Sequence, residues 1–175
     1  LLRRSGRRYG GYIVHLGIVL VAVAVATSQS KTVEVEQTVR AGEHFDVAGY
    51  TVAFSGLRNV DEPQRDLLVA DLRVTGNGAD EQLRPALVFF PNATQAVGSP
   101  GISAGLGDDV YTILAAYDTS AKTWATIRVL VIPMVSWLWL GGAVVGLGAV
   151  IAALPQPKRR EATRLLVEAP ATVGD

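Results

Sequence analysis

Residues 123–154 read TWATIRVLVIPMVSWLWLGGAVVGLGAVIAAL, and two patterns meet in this stretch. Over residues 123–132 apolar side chains recur at every second position, which predicts a β-strand with one buried side. The residues on that side are Ala125, Ile127, Val129 and Val131. From Pro133 to Leu154 no charged residue occurs, and an apolar helix of this length is long enough to cross a bilayer. The stretch therefore predicts a β domain that leads directly into a transmembrane helix over residues 133–154.

An earlier apolar stretch, from Gly10 to Thr27, contains no charged residue apart from His15 when that side chain is protonated. Its length of about 18 residues corresponds to roughly 27 Å of helix, close to the thickness of a bilayer core. We therefore predict a transmembrane helix over residues 10–27. A cleavable signal peptide is the alternative, because a basic, an apolar and a small-residue region follow one another. The presence of another apolar stretch, over residues 133–154, favours the transmembrane interpretation.

Basic residues lie at the outer ends of both apolar stretches. They are Arg3, Arg4, Arg7 and Arg8 before the first stretch, and Lys158, Arg159 and Arg160 after the second. The positive-inside rule then predicts a cytoplasmic segment over residues 1–9 and a cytoplasmic tail over residues 155–175. Residues 28–132 would lie on the opposite, extracytoplasmic side. Trp137 and Trp139 stand where an aromatic belt marks the membrane interface.

Small residues in the second apolar stretch predict close contact with another helix. Gly142 and Gly146 form a small-xxx-small pair, and Gly141 and Gly148 lie nearby. Such a face lets two helices approach closely. The alternative is that these glycines only reflect the frequency of glycine in membrane helices.

The segment from residue 28 to residue 132 has the alternation and turn signals of an all-β domain, sandwich-like or barrel-like. Seven strands are predicted, near residues 32–39, 46–47, 50–54, 67–74, 87–90, 110–117 and 123–132. Residues 91–109 are rich in Gly, Pro and Ser and are expected to form loops. Asp108 and Asp109 in this segment are expected to belong to a solvated turn, since two acids alone are a weak indication of a calcium site.

The composition excludes several classes of function. The net charge is zero, which gives no electrostatic basis for binding nucleic acid. There is no cysteine, and so no disulfide, no thiolate nucleophile and no cysteine-ligated zinc. No catalytic triad, HExxH motif or phosphate loop is present. Because the sequence begins with Leu1 rather than Met, we expect it to be a piece of a longer protein.

The chain has two histidines, and they have different surroundings. His44 is expected at the surface of the β domain. His15 lies within an apolar helix, where an ionisable side chain is costly and rare. At helical spacing Gly11, His15, Ala22 and Ala26 share one thin face, against which another helix or a bulky group can pack, whereas Ile13, Leu16 and Leu20 suit lipid. From the residues alone, three roles remain open for His15: a hydrogen bond between helices, ligation of haem or metal, and proton transfer.

Three elements, in the same order, resemble the carboxy-terminal part of the CcmF family of haem lyase membrane subunits in cytochrome c maturation. Arg8-Tyr9-Gly10-Gly11-Tyr12-Ile13-Val14-His15-Leu16-Gly17 resembles a late membrane helix of that family. Asp109-Val110-Tyr111 is similar to the Asp-Leu-Tyr element of its periplasmic domain. Pro133-Met-Val-Ser-Trp137-Leu-Trp139-Leu-Gly141-Gly142 is similar to its last helix. The related subunit NrfE shares this architecture and is not distinguished from CcmF by these elements.

The resemblance implies a role for His15 and a set of partners. His15 would be one axial ligand of the iron of a membrane haem b, with the second ligand outside this chain. The expected surroundings are the bacterial inner membrane, the rest of a CcmF-like subunit, the haem chaperone CcmE, CcmH and apocytochrome c. This stretch would contribute to a haem lyase complex without being catalytic alone. The segment Pro85–Pro91 departs from the family pattern because it has no basic residue. The alternative function is a doubly anchored β domain that assembles with a protein and binds no haem.

Overall fold

The computed structural model describes residues 6–154, which form two long helices and a β domain between them. Helix α1 spans Gly6–Lys31 and helix α2 spans Val135–Ala153. Both are long and apolar enough to cross a membrane by length and composition. Arg3 and Arg4, together with the tail at 155–175 and its basic residues 158–160, lie outside the described residues.

Ten strands make up the domain between the helices. They are β1 Val33–Arg40, β2 His44–Val47, β3 Tyr50–Glu62, β4 Arg65–Gly76, β5 Ala79–Leu83, β6 Ala86–Phe89, β7 Val97–Ser99, β8 Gly101–Ala104, β9 Asp108–Tyr117 and β10 Trp124–Pro133. One sheet has the order β1-β10-β9-β8, and the other has the order β2-β3-β4-β6-β7, with β5 also paired to β4. Every strand pair is antiparallel. The domain is therefore a β-sandwich, which confirms the predicted all-β class and excludes a closed barrel.

Alternation along the strands produces the core between the two sheets. In β10 the residues predicted to share one side, Ala125, Ile127, Val129 and Val131, are all buried. Phe54 and Leu72, from the opposing sheet, belong to the same buried cluster. Each fully buried side chain of this size contributes about 1.5–3 kcal/mol through the hydrophobic effect. The period-2 pattern thus identifies both the strand and its buried side.

Strands β5, β7 and β8 were not predicted from the sequence. Strands β7 and β8 occupy residues 97–104, inside the segment expected to form loops. They are three and four residues long and contain glycine and serine, so no alternating apolar pattern develops. Strand β5, Ala79–Leu83, is mostly polar and exposed, and it is held by its pairing with β4. Pairing with neighbours, rather than local sequence, creates these three strands.

The two helices leave the sandwich from neighbouring strands without a flexible linker. Strand β1 follows α1 after the single residue Thr32, and α2 follows β10 after the single residue Met134. Strands β1 and β10 pair antiparallel, with Val33 opposite Val131. The helices therefore emerge side by side from one end of the sandwich and run antiparallel to each other. We call this end, where β1 begins and β10 ends, the helix end.

Glycines bring the two helices into backbone contact. A β-carbon on Gly10 would lie 2.6 Å from the backbone nitrogen of Ala152, and one on Gly148 would lie 2.7 Å from that of Val14. Gly17 and Gly141 oppose each other in the same way, one helical heptad further along. Only glycine permits this separation, as in closely packed membrane helices.

The prediction of a helix contact through Gly142 and Gly146 was wrong for this helix pair. A β-carbon at either position would meet no atom within 4 Å outside its own helical turn. The contact uses Gly141 and Gly148, which are buried and seven residues apart. Seven residues make nearly two helical turns, so these two glycines share one side of α2, and the predicted pair lies on a neighbouring side.

Candidate functional site

His15 lies on the exposed surface of α1, five residues after Gly10, where the apolar stretch begins. Its Nδ1 atom is 2.8 Å from the carbonyl oxygen of Gly11, one helical turn earlier. A carbonyl oxygen only accepts hydrogen bonds, so Nδ1 carries the proton and donates it. In the neutral ring Nε2 then keeps its lone pair and faces away from this bond. Such a bond fixes the orientation and tautomer of a histidine whose other nitrogen binds a metal.

The surface around His15 is shallow because its neighbours are small. Ala22 and Ala26 are exposed on the same side of the helix, and a β-carbon on Gly11 would meet no atom within 4 Å outside its own helical turn. At 100° per residue, His15 lies about 140° around α1 from the contact with α2. The His15 face, defined by Gly11, His15, Ala22 and Ala26, is therefore open within the described residues and can accept a flat, bulky group.

The side of α1 that was predicted to face lipid overlaps in part with the side that contacts α2. Leu16 is exposed, whereas Ile13 and Leu20 are partly buried. The His15 ring is hydrogen-bonded to Gly11 in its own helix and not to α2. Within residues 6–154, a structural hydrogen bond between α1 and α2 is thus not the role of this side chain.

His44 is exposed at the start of β2, as predicted for a surface residue. It lies beyond the far end of β1, a strand of eight residues, or roughly 26 Å of extended chain. Among the described residues, no group of three or more His, Cys, Asp and Glu side chains could hold a metal ion. His44 and His15 therefore do not share a site.

Asp109 corrects the expectation of a solvated turn at Asp108–Asp109. Asp109 is buried, and its Oδ1 accepts a hydrogen bond of 3.2 Å from the backbone N–H of Gly105. Asp108 lies beside Tyr50 at the helix end of the sandwich. Burial raises the pKa of the Tyr50 phenol, a hydrogen bond with Asn77 lowers it, and the Asp108 carboxylate raises it further. Asp108 and Asp109 thus interact with Tyr50 and Gly105 at the helix end of the sandwich.

A polar groove of about 570 Å³ crosses the outer surface of the larger sheet. Its arginines are engaged by acids: Arg58 contacts Asp71 at 2.8 Å, and Arg73 contacts Asp80 at 2.8 Å. These exposed pairs are typical of a solvated sheet surface and contribute little to stability. The groove contains no histidine, cysteine or serine–histidine pair that would support catalysis.

Comparison with known proteins agrees with this architecture. The family described as the CcmF C-terminal beta-sandwich matches residues 30–133, which is more than half of the chain. The chain belongs to this family. The match covers β1 to β10, which include the Asp109 element, and confirms the resemblance to the CcmF family.

Relatives extend the similarity beyond the sandwich to both helices. The chain is 32% identical over 152 residues to the cytochrome c-type biogenesis protein CcmF of Pseudomonas fluorescens, covering 86% of this chain and 23% of the relative. It is 28% identical over 154 residues to the protein of the same name from Escherichia coli K12, covering 87% and 23%. A solved structure titled cytochrome c heme lyase CcmF matches with a TM-score of 0.71 at 27% identity, covering 86% and 25%. The chain thus spans about a quarter of the length of these CcmF proteins.

The residues that the sequence analysis missed are those that join the helices. Gly10 and Gly17 in α1 oppose Gly148 and Gly141 in α2. Their spacing of seven residues in each helix indicates this contact in the sequence, whereas the prediction rested on the spacing of four between Gly142 and Gly146. Because Gly10 and Gly17 contact α2 on a different side of α1, the His15 face does not contact α2.

Proposed function

We propose that this chain is the carboxy-terminal part of a membrane subunit of a cytochrome c maturation haem lyase, and that His15 is an axial ligand of a membrane haem b. One observation carries the proposal. The Nδ1–H of His15 is bonded to the Gly11 carbonyl, so that its Nε2 lone pair is available on an open face of small residues.

The residues present fit one side of a haem. His15 would hold the iron through Nε2, while Gly11, Ala22 and Ala26 would leave room for the macrocycle beside the helix. When bound, a haem supplies a redox centre that exchanges one electron at a time. The second axial ligand would come from another part of the complete subunit, since the only other histidine, His44, belongs to the far side of the sandwich. The Gly11 carbonyl would hold the ring in place and increase its basicity as a ligand.

The proposed placement is in the bacterial inner membrane. Helices α1 and α2 would both span the bilayer, with both termini in the cytoplasm and the sandwich on the periplasmic side. The length and composition of the helices, the charges of Arg7 and Arg8, and the glycine contact that joins α1 to α2 support this placement. In that setting the sandwich would face the haem chaperone CcmE, CcmH and apocytochrome c. The chain would position haem and partners and would not catalyse attachment alone.

The test is the absorption spectrum and the redox potential of the complete purified subunit carrying His15→Ala. We expect loss of the native haem absorption, with partial recovery in His15→Gly when imidazole is added, because free imidazole can occupy the vacated position. His44→Ala is the matched control and should retain the native spectrum. An unchanged Soret band and potential in His15→Ala would show that this histidine is not a ligand.

The second candidate function, an assembly domain that binds no haem, is favoured by one surface. Phe89, Phe90 and Val97 are exposed where strands β6 and β7 flank the loop at residues 91–96. Exposed aromatic and aliphatic side chains concentrated in one region commonly mark a protein contact. If this function is the whole role, Phe90→Asp should abolish assembly of the maturation complex, and His15→Ala should leave both assembly and cytochrome c production intact.

A further inference from the structure

The loop at residues 105–107, between β8 and β9, is bonded to the start of α2 through three consecutive carbonyl groups. The Gly105 carbonyl accepts from the Ser136 hydroxyl at 2.6 Å. The Leu106 carbonyl accepts from the Trp137 indole Nε1–H at 3.0 Å. The Gly107 carbonyl accepts from the Met134 backbone N–H at 2.7 Å. The loop is therefore held against the first turn of α2.

The side chain of Leu106 takes no part in these bonds and projects outward. It is 87% exposed, the highest value among the large hydrophobic side chains in the described chain. The loop is anchored on its other side as well, because the Gly105 N–H donates to the buried Asp109 carboxylate. The exposure of Leu106 thus comes from a fixed backbone and is not that of a loose loop tip.

Two tryptophans indicate what surrounds Leu106. Trp137 and Trp139 lie in the first turn and a half of α2, and Trp139 is 77% exposed. Tryptophan is enriched at the level where a transmembrane helix enters the headgroup region. Since the Trp137 indole is bonded to the Leu106 carbonyl, Leu106 lies at the same level as that interface.

We propose that the 105–107 loop is a membrane contact of the β-sandwich, with Leu106 inserted into the interfacial region of the leaflet where α2 enters. This inference rests on the proposed transmembrane placement of α1 and α2. The partner is the lipid surface itself, because Leu106 is almost fully exposed on a loop that is bonded to the first turn of the apolar helix α2. Together with the one-residue joints at Thr32 and Met134, this contact holds the sandwich in one orientation on the bilayer.

Charged and polar neighbours limit the depth of insertion. Asp108 follows the loop directly and lies beside Tyr50, and Asp109 is buried in the protein. Lys31 is exposed at the end of α1. A carboxylate or ammonium in the acyl region is costly, so these residues stay at or above the headgroups. Only Leu106 reaches the boundary between headgroups and acyl chains, a depth of about 5–10 Å that is usual for interfacial apolar side chains.

A fluorescent label at position 106 tests the contact. This chain contains no cysteine, so Leu106→Cys introduces a unique thiol in a complete subunit whose other parts are made cysteine-free. The exchange leaves the loop folded, because only the Leu106 backbone is used. The label is an environment-sensitive NBD group, and the subunit is placed in phosphatidylcholine nanodiscs with or without lipids that carry a nitroxide at acyl carbon 5 or carbon 12.

We expect a blue-shifted emission at position 106 and stronger quenching by the carbon-5 nitroxide than by the carbon-12 nitroxide. Gln64→Cys, at the exposed tip of the β3–β4 hairpin, is the control and should show neither effect. Trp139→Cys should be quenched if α2 spans the bilayer. Quenching at 139 without quenching at 106 overturns the Leu106 contact alone, whereas no quenching at either position overturns the transmembrane placement. A blue shift at 106 without quenching means that protein covers Leu106, and it also overturns the lipid contact.

Discussion

Gly10 and Gly11 are neighbours in the sequence but lie on different sides of the helix pair. A β-carbon on Gly10 would collide with Ala152 and with the Gly148 carbonyl, whereas one on Gly11 would meet nothing nearby outside its own helical turn. Gly141 and Gly142 repeat the contrast in α2. One side of the pair is thus closed by backbone contact, and the other side, which carries His15, is open. Glycine serves close packing on the first side and leaves space for another group on the second.

Added side-chain volume should reduce the stability of the subunit most on the closed side, where α1 contacts α2. In Gly148→Ala the new methyl group meets backbone atoms, the Val14 nitrogen at 2.7 Å and the Gly10 oxygen at 2.9 Å, which cannot move independently. We expect the complete subunit to lose about 1–3 kcal/mol of stability, as for an overpacked core. The measurement is the thermal unfolding of the subunit in nanodiscs.

Gly146→Ala is the matched control for Gly148→Ala, because the same methyl group at residue 146 meets no atom within 4 Å outside its own helical turn. Its midpoint should stay close to that of the unmodified protein. Equal destabilisation by the two variants would contradict the contrast, and it would mean that another helix of the complete subunit packs on Gly146.

The open side should respond to added volume with loss of haem rather than loss of stability. Ala22→Phe fills the shallow surface beside His15. We expect haem content to fall roughly 5-fold or more, the equivalent of about 1 kcal/mol of crowding. Leu16→Phe adds an aromatic ring on another exposed part of α1 and should retain haem. The pyridine haemochrome assay measures the haem content per mole of subunit in both variants. Equal haem content in the two variants would mean that the haem does not lie over Ala22.

The far end of the sandwich should be independent of both sides, and the effect there should be the smallest. Asp118, in the β9–β10 turn, accepts hydrogen bonds from Ser120 and Thr123. These bonds lower the pKa of its carboxyl group well below the ordinary value of 3.8. A carboxyl with a depressed pKa stabilises the fold above its unfolded pKa, and this contribution is lost as the pH falls through the folded pKa.

Asp118→Asn should therefore lower the unfolding midpoint slightly at pH 7. An amide has one acceptor oxygen, so it can replace either Oδ1, which accepts from Ser120, or Oδ2, which accepts from Thr123, but not both. The difference from the unmodified protein should shrink as the pH falls below about 3.8, where the carboxylate of the unfolded chain becomes protonated. The haem spectrum should not change. A pH-independent difference would mean that the charge of Asp118 is not involved.

Periodicity accounts for what could be predicted from the sequence. The buried side of β10 follows from alternation at Ala125, Ile127 and Val129, because successive side chains of a strand point to opposite faces. The small-residue surface around His15 follows from helical spacing in the same way. The buried Asp109 could not be predicted, since its burial depends on the neighbouring loop at 105–107. Strands β7 and β8 could not be predicted, because they are too short to show a period.

By itself, the sequence determined that two apolar helices enclose a β domain and that one histidine lies on a thin helix face, because both depend on local spacing. It contained two possible glycine contacts in α2, through Gly142 and Gly146 or through Gly141 and Gly148. Only the tertiary structure decided between them. Strands β1 and β10 pair side by side. Thr32 alone connects α1 to β1, and Met134 alone connects β10 to α2. That geometry sets the rotation of each helix, so that Gly141 and Gly148 meet α1 and the His15 face stays open.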